Sequence, residues 1–432
     1  MDPQRILDDL PMRPLQVIAV VMCVALNALD GFDVLAISFA SPGIAAEWGI
    51  SRTELGVVLT MELVGMAVGS ILLGNFADGL GRRPVILGCL VIMSLGMYVA
   101  SLVTGVYQLL GVRFITGIGI GGMLAAINAM VAEYSNAKHR NFNVVIMATG
   151  YPFGIIVGGS IASMLLAYFD WRSVFILGAV MTASMIPLVW FWMPESISYL
   201  AHQNKPDALQ RINAILKRMG HAAIERLPAS DHVAEKTSWR DLFSPQLART
   251  TALLTLAYLT HIMTFYYIIK WIPKLVVDMD FTASSAGGVL VWANVGGAVG
   301  SVLLGLLTHK VKIRVLGMIA MAGSVVMINV FGMGQADLFG LSLVAAMAGF
   351  FTNSAVVALY ALFAETFPTH LRAGGTGFVI GVGRAGSVVG PIIAGVMFDS
   401  GIGLSGVSLA MAMGSLIGFF ALLFLRERKA IS

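Results

Sequence analysis

The chain has 432 residues, of which 58% are hydrophobic and 12% charged, with a formal net charge of +4. Soluble domains carry about a quarter of their residues as charges, so this composition excludes an ordinary soluble enzyme and points to a chain that crosses a membrane many times. The two cysteines, Cys23 and Cys89, sit in separate apolar runs, a pattern that implies neither a disulfide framework nor a metal-ligand cluster.

A transmembrane helix needs about 20 apolar residues. Such runs fall near 15–40, 54–76, 85–104, 107–132, 142–168 and 172–193, then near 250–277, 284–308, 314–333, 338–364, 373–398 and 404–425. The polar start (Asp2, Arg5, Asp8, Asp9) and the long first run predict no cleavable signal peptide. Pro194 to Arg249 is polar and basic, with Lys205, Arg211, Lys217, Arg218, Arg226, Lys236 and Arg240 and a helix expected over Asp207–Met219. The predicted plan is all-α and integral to the membrane. A six-helix bundle (1–193) and a second (250–432) make two pseudo-symmetric halves joined by a cytoplasmic connector (194–249).

With both termini cytoplasmic, the inner segments hold 21 of the 27 Lys and Arg residues, and the outer loops hold only Arg52, Arg172 and Lys274. That bias follows the positive-inside rule, so the positive charge reads as topology and not as nucleic-acid binding. The halves also repeat. Glu133 and Arg140 recur as Glu365 and Arg372 at an offset of 232, which also carries Gly154 onto Gly386 and Gly158 onto Gly390. Parallel repeats with a mid-membrane site are a common plan for secondary transporters.

The first apolar run contains Asp30-Gly31-Phe32-Asp33. A charge at the centre of a membrane helix costs at least ~2.5–3.5 kcal/mol, so two carboxylates three residues apart on one helix face read as a proton-carrying pair. The alternative is a structural pair neutralised by arginines on neighbouring helices, behind the proton-carrying reading. Gly31 lets another backbone or a ligand come close.

Between spans two and three runs Gly74-Asn-Phe-Ala-Asp78-Gly-Leu-Gly-Arg82-Arg83-Pro84. Asp78, Arg82 and Arg83 are placed to form ion pairs that exist in one conformation and break in another. Arg113-Phe-Ile-Thr-Gly117-Ile-Gly119-Ile-Gly121-Gly122 follows in span four, and Pro194-Glu195-Ser196 after span six. Together these resemble the signature loops of the major facilitator superfamily. Span five lacks the Gly-Pro-x-x-Gly-Gly order of drug exporters, and the equivalent loop of the second half, Gly305 to Arg314, carries His309 where an aspartate is expected. Asp30-Gly31-Phe32-Asp33 resembles the first-helix signature of the aromatic acid:proton symporter family. The resemblance implies proton-coupled uptake of hydroxybenzoate-, protocatechuate- or vanillate-like acids across a bacterial inner membrane.

At 1.5 Å per residue, Asp30 lies roughly 22 Å and Asp33 roughly 27 Å from the inner end of span one, and Arg113 roughly 9 Å from the outer end of span four. Arg113 is therefore expected to bias the aspartates' protonation. Arg384, about 18 Å into span eleven, is a permanent charge whose planar fork suits a substrate carboxylate. Either arginine could instead be a structural counter-ion. His261, near mid-membrane, is a candidate substrate or second proton group. Tyr266, Asn294, Asn353 and Tyr360, with Asn128 and Tyr151, are candidate substrate-binding residues, supported by Tyr267 and Trp292. Glu62 is a minor proton-entry candidate, and Lys270 is expected to snorkel outward. Glu133, Arg140, Glu365 and Arg372 complete a cytoplasmic gate with Asp78, Arg82, Arg83 and the Lys310–Arg314 cluster.

The predicted function is a proton symporter for an aromatic carboxylate. Its partners are a small organic anion, protons and membrane lipid, without nucleic acid. It needs no cofactor beyond the proton gradient and works as a monomer. The alternative is a symporter for a sugar acid or aliphatic carboxylate, including muconate-like diacids. A sensor or a membrane enzyme is disfavoured, since neither a signalling domain nor a nucleophile–base motif is visible.

Overall fold

The structure, a computed structural model, describes residues 3–202, 207–225, 242–245, 247–368 and 371–425. Among them the order is α1 (Pro3–Asp9), α2 (Pro14–Trp48), α3 (Arg52–Leu80), α4 (Arg82–Ala100), α5 (Val106–Tyr134), α6 (Arg140–Leu165), α7 (Arg172–Trp192), α8 (Ile197–His202), α9 (Ala208–Met219), α10 (Ala248–Val277), α11 (Ala283–Leu307), α12 (Ile313–Gly332), α13 (Leu338–Thr366), α14 (Arg372–Gly383), α15 (Ala385–Asp399) and α16 (Leu404–Leu423). No strand occurs among the described residues. Twelve spans are long and apolar enough to cross a membrane: α2–α7, then α10–α13, α14 with α15, and α16. The expected connector helix is α9. Lys205, Arg226, Lys236 and Arg240 of the connector lie outside the described residues.

Two expectations about helix ends change. The first span continues past Ala40, through Pro42, to Trp48. Pro42 cannot donate to the carbonyl of Ser38, and the Ser41 hydroxyl donates to it instead at 2.8 Å, the kind of local repair that makes proline tolerable in lipid. The eleventh span is interrupted at Arg384, between α14 and α15. The Ser387 amide reaches back only three residues, to the Arg384 carbonyl at 2.9 Å.

The second span starts with a reciprocal cap. Ser51 Oγ accepts from the Glu54 amide and Glu54 Oε2 from the Ser51 amide, at 3.1 and 2.9 Å. Asp399 adds a carboxylate that accepts from the Arg52 and Thr53 amides at 3.0 and 2.8 Å.

Chain contacts divide the molecule into two compact units. Unit one is Met1–Ala36, Met61–Gly158 and Arg172–Ala234, and unit two is Ile37–Thr60, Gly159–Trp171 and Glu235–Ser432. The internal repeat is visible in their packing. In unit one α4 packs on α5 and α7, and in unit two α12 packs on α13 and α16. A Cβ on Gly154 would strike the Ala28 carbonyl, and one on Gly158 the Phe32 ring, so α6 lies backbone-close on α2. Gly386 and Gly390 hold α15 in the same way on the Leu259 and Met263 carbonyls of α10. Gly65, Gly69 and Gly117 close the α3–α5 crossing, and Gly296, Gly300 and Gly349 close α11–α13. Small residues at such crossings replace the hydrophobic driving force that lipid cannot supply.

Candidate functional site

The close α3–α5 crossing brings Glu62 onto Arg113. Both side chains are wholly buried and form an ion pair. The same guanidinium donates to the Asp33 main-chain carbonyl at 2.8 Å and to Met97 Sδ at 3.0 Å, and it lies 5.5 Å from the centre of the Phe175 ring. Asp33 is 0% and Asp30 2% exposed. One oxygen of Asp33 accepts from the Thr182 hydroxyl at 3.3 Å. The other has no hydrogen-bond partner among the described residues, and neither has either oxygen of Asp30 nor Oε1 of Glu62. Gly31, between the two aspartates, has no room for a Cβ against the Tyr151 carbonyl, so it admits the α6 backbone and not a ligand. Tyr151 contributes its main chain there.

Arg113 forms its ion pair with Glu62 and bonds Asp33 through the main-chain carbonyl, with the Asp33 carboxyl within electrostatic range of the guanidinium. Glu62, ranked as a minor entry group, is a full member of the cluster. Thr182 was missed altogether, because a threonine in an apolar run carries no signal of its own.

The repeat shows what these residues replace. An offset of 231 carries Ala28 onto Leu259 in the equivalent packing of the fifth and eleventh spans, and it therefore carries Asp30 onto His261, Asp33 onto Thr264 and Glu62 onto Ala293. An offset of 232 carries Gly117 onto Gly349, and so Arg113 onto Ala345. Where unit one has four ionisable side chains, unit two has a histidine, a threonine and two buried alanines.

His261 is wholly buried, with Nε2 2.9 Å from the Thr352 carbonyl and Nδ1 2.9 Å from Ser415 Oγ. Facing a carbonyl, Nε2 carries hydrogen and donates. Both nitrogens are used between helices, so contact with a substrate would break one of these bonds. Thr264 donates to the Met411 carbonyl at 2.6 Å. Asn353 donates to the Gly297 carbonyl at 3.0 Å and to Ser301 Oγ at 2.8 Å, tying α13 to α11, while Asn294 donates to its own helix at Leu290. Tyr267 is buried with its hydroxyl 2.8 Å from Ser408 Oγ. Trp292 is exposed, and Asn128 is exposed and bonded within its own helix.

The remaining candidates gather around Tyr258. Its hydroxyl lies 3.0 Å from that of half-exposed Tyr360, and its ring packs where Gly383 has no Cβ. Arg384, partly exposed at the break after α14, and Tyr266 both lie within electrostatic range of that hydroxyl. Lys270, expected to snorkel, is wholly buried. Helix α10 runs on through Pro273 to Val277, which leaves the lysine about two turns short of the helix end.

At the helix ends, Arg82 is 3.7 Å from Glu133, and Glu133 also accepts from the Ser196 hydroxyl. Glu195 accepts from the amides of Arg82, Arg83 and Ser196 at 2.8, 3.1 and 2.8 Å, a carboxylate on the N-terminus of α4. Arg83 donates to the Trp190 carbonyl at the end of α7, and Arg314 to the Leu422 and Leu423 carbonyls at the end of α16. Arg140 pairs with Asp8, Glu365 is exposed, and His309 is exposed in the turn after α11. The side chains of Asp78 and Arg372 lie outside the described residues.

A profile of the Major Facilitator Superfamily matches residues 23–335. The chain belongs to the Major Facilitator Superfamily. It is 30% identical to the gallate transporter of Pseudomonas putida, over 92% of this chain and 89% of that one. It is 28% identical to the 4-hydroxybenzoate transporter PcaK of Pseudomonas aeruginosa, over 98% and 95%. The 3-(3-hydroxy-phenyl)propionate transporter of Escherichia coli is 27% identical over 95% and 94%. Among solved structures, the xylose transporter XylE of E. coli superposes with a TM-score of 0.72 at 16% identity, over 95% of this chain and 97% of that one, and so shares the fold. This Major Facilitator Superfamily member is accordingly a multi-pass membrane transporter and not an enzyme, with twelve spans in two pseudo-symmetric halves.

Proposed function

We propose that this transporter imports an aromatic carboxylate together with protons, by alternating access, across a bacterial inner membrane with both termini cytoplasmic. The observation that carries the proposal is the buried acidic cluster of Asp30, Asp33 and Glu62 around Arg113, with four carboxylate oxygens unpartnered among the described residues. Unpaired carboxylates in hydrocarbon are costly unless they bind a proton, and groups that must hold and release protons suit a coupled carrier. The names of the relatives, transporters of gallate, 4-hydroxybenzoate and 3-(3-hydroxy-phenyl)propionate, support an aromatic acid as cargo.

In this scheme Arg384 grips the substrate carboxylate bidentately, and Tyr258, Tyr266 and Tyr360 supply ring faces and hydroxyls for a flat phenolic acid. Protonation of the aspartates lowers the cost of burying the anion beside them, so that only the loaded or the empty carrier reorients. The sugar-acid alternative rested on Pro194-Glu195-Ser196. Glu195 and Ser196 are used in capping α4 and binding Glu133, a task indifferent to substrate.

Uptake of labelled 4-hydroxybenzoate and gallate into vesicles under imposed pH gradients tests the scheme. An inward proton gradient should accelerate uptake, and Asp30→Asn and Asp33→Asn should each remove that acceleration. Arg384→Lys should raise the KM at least tenfold. Normal, gradient-dependent uptake by both aspartate variants would refute the coupling role.

A further inference from the structure

We propose that the acidic cluster stores two protons at once, one on Asp30 and one on Asp33, while Glu62 stays ionised as the resident counter-ion of Arg113. The inference rests on the proton-coupled reading above and adds its stoichiometry and the identity of the permanent anion.

Three carboxylates and one guanidinium share a space in which Asp33, Glu62 and Arg113 are 0% and Asp30 2% exposed. An arginine keeps its proton in proteins, so the cluster is neutral only when two of the three carboxyls are protonated. With one proton it would carry a net negative charge in hydrocarbon, and with none a double one. Among the described residues of unit one the neighbouring elements offer no other balance. Facing the cluster are the Cys89 thiol of α4, which lies within electrostatic range of Asp30, the Thr182 hydroxyl of α7, the Phe175 ring and the Met97 sulfur. The α6 main chain closes over Gly31. None of these is a cation.

Geometry then says which carboxyl is ionised. Glu62 meets the guanidinium directly. Asp33 hydrogen-bonds the same guanidinium through its main-chain carbonyl, and its carboxyl, though within electrostatic range of Arg113, accepts from a neutral hydroxyl. Asp30 meets neither. The carboxylate on the arginine gains most from staying charged, which leaves the two protons on the aspartates. Their separation on one helix face lets both face the same route of release.

The repeat adds an independent argument. The equivalent positions to Glu62 and Arg113 are Ala293 and Ala345, so the helix crossing closes without an ion pair. Retaining a buried pair that the fold does not need is explained if the pair sets the charge state of its neighbours.

The test counts protonated carboxyls without requiring a ligand. Infrared spectra of the purified transporter near neutral pH show protonated carboxylic acids as a carbonyl band separate from carboxylates. Difference spectra against wild type should show one carboxyl's intensity lost in Asp30→Asn and one lost in Asp33→Asn. Glu62→Gln should also lose one, because Asp33 ionises to take over Arg113, and Glu62→Gln with Asp33→Asn should lose both, because Asp30 is then the one carboxyl of the cluster left to balance that charge. Melting temperatures within a few degrees of wild type confirm that the variants fold. An unchanged band in either aspartate variant would overturn the two-proton store.

Flux gives the second readout. With membrane potential clamped at zero, a tenfold gradient of 4-hydroxybenzoate should be balanced by a pH difference of about 0.5 if two protons move per anion, or about 1 if one does. Balance near one unit refutes the store and leaves symport standing. Net flux that ignores the pH gradient while the aspartate bands are present refutes symport itself.

Discussion

The same backbone crossing occurs twice in this molecule, and only one copy is charged. In unit one, glycine seams on α6 and at the α3–α5 crossing surround Asp30, Asp33, Glu62 and Arg113. In unit two, the matching seams surround His261, Thr264, Ala293 and Ala345. In the second copy, both His261 nitrogens and the Thr264 hydroxyl are hydrogen-bonded. In the first, four carboxylate oxygens have no such partner among the described residues. The comparison isolates what packing requires. Small residues and satisfied hydrogen bonds suffice to close the crossing, so the charged copy carries a cost that packing alone does not explain.

The largest effect is expected from converting one copy into the other. Glu62→Leu alone strands Arg113 in the core and should destabilise the protein by about 3–5 kcal/mol. Glu62→Leu with Arg113→Leu removes both charges and should restore most of that stability while abolishing proton-driven uptake. Thermal melts and vesicle uptake on the same preparations check both halves of the statement. A double variant as unstable as the single one would mean that the ion pair is structural.

A second test addresses the seam. Gly31 corresponds to Ile262 in the other copy, yet a Cβ at Gly31 would overlap the Tyr151 carbonyl. Gly31→Ala should therefore cost about 1–3 kcal/mol and slow uptake by prising α6 from the aspartates. Wild-type stability and rate would show that the two helices part easily there. At the helix ends, Glu195→Ala removes the acceptor of three amides and should cost about 0.5–2 kcal/mol, read as a lower melting temperature with proton coupling intact.

The smallest effect concerns His221, outside the spans, whose Nε2 lies 3.5 Å from Gln16 Oε1. Burial, and then the charge of Arg13, push its pKa below the ordinary 6.5. The folded state thus prefers the neutral ring. Its contribution to stability is fully present above the unfolded histidine's value and is lost as pH falls from there through the lower folded value. His221→Asn should flatten that portion of the stability–pH curve, and an unchanged slope would assign it to other groups.

Much of the fold is legible in the sequence because the bilayer imposes a length and a composition that few other structures share. The expected spans and the helices differ mainly at ends such as Ala40, where Ser41 repairs the bond that Pro42 cannot make. The repeat was visible as paired glycines, since close helix contacts fix glycine spacing. The aspartates stood out because charge in an apolar run is conspicuous. Partnership was not legible. Glu62 carries the same signal as Asp30, but its union with Arg113 depends on a helix crossing set by Gly65 and Gly117. Likewise, nothing local shows that both His261 nitrogens are spent on Thr352 and Ser415, residues distant in sequence, or that Lys270 is wholly buried.

Joint movement of substrate and protons through the first-helix aspartates can be read without any imposed gradient. 4-Hydroxybenzoate, or whichever related acid stabilises the purified protein most, is added to lightly buffered proteoliposomes while external pH is recorded. Wild-type transporter should alkalinise the medium in step with uptake, and Asp30→Asn should not. Uptake by the wild type with no movement of external pH would contradict the account.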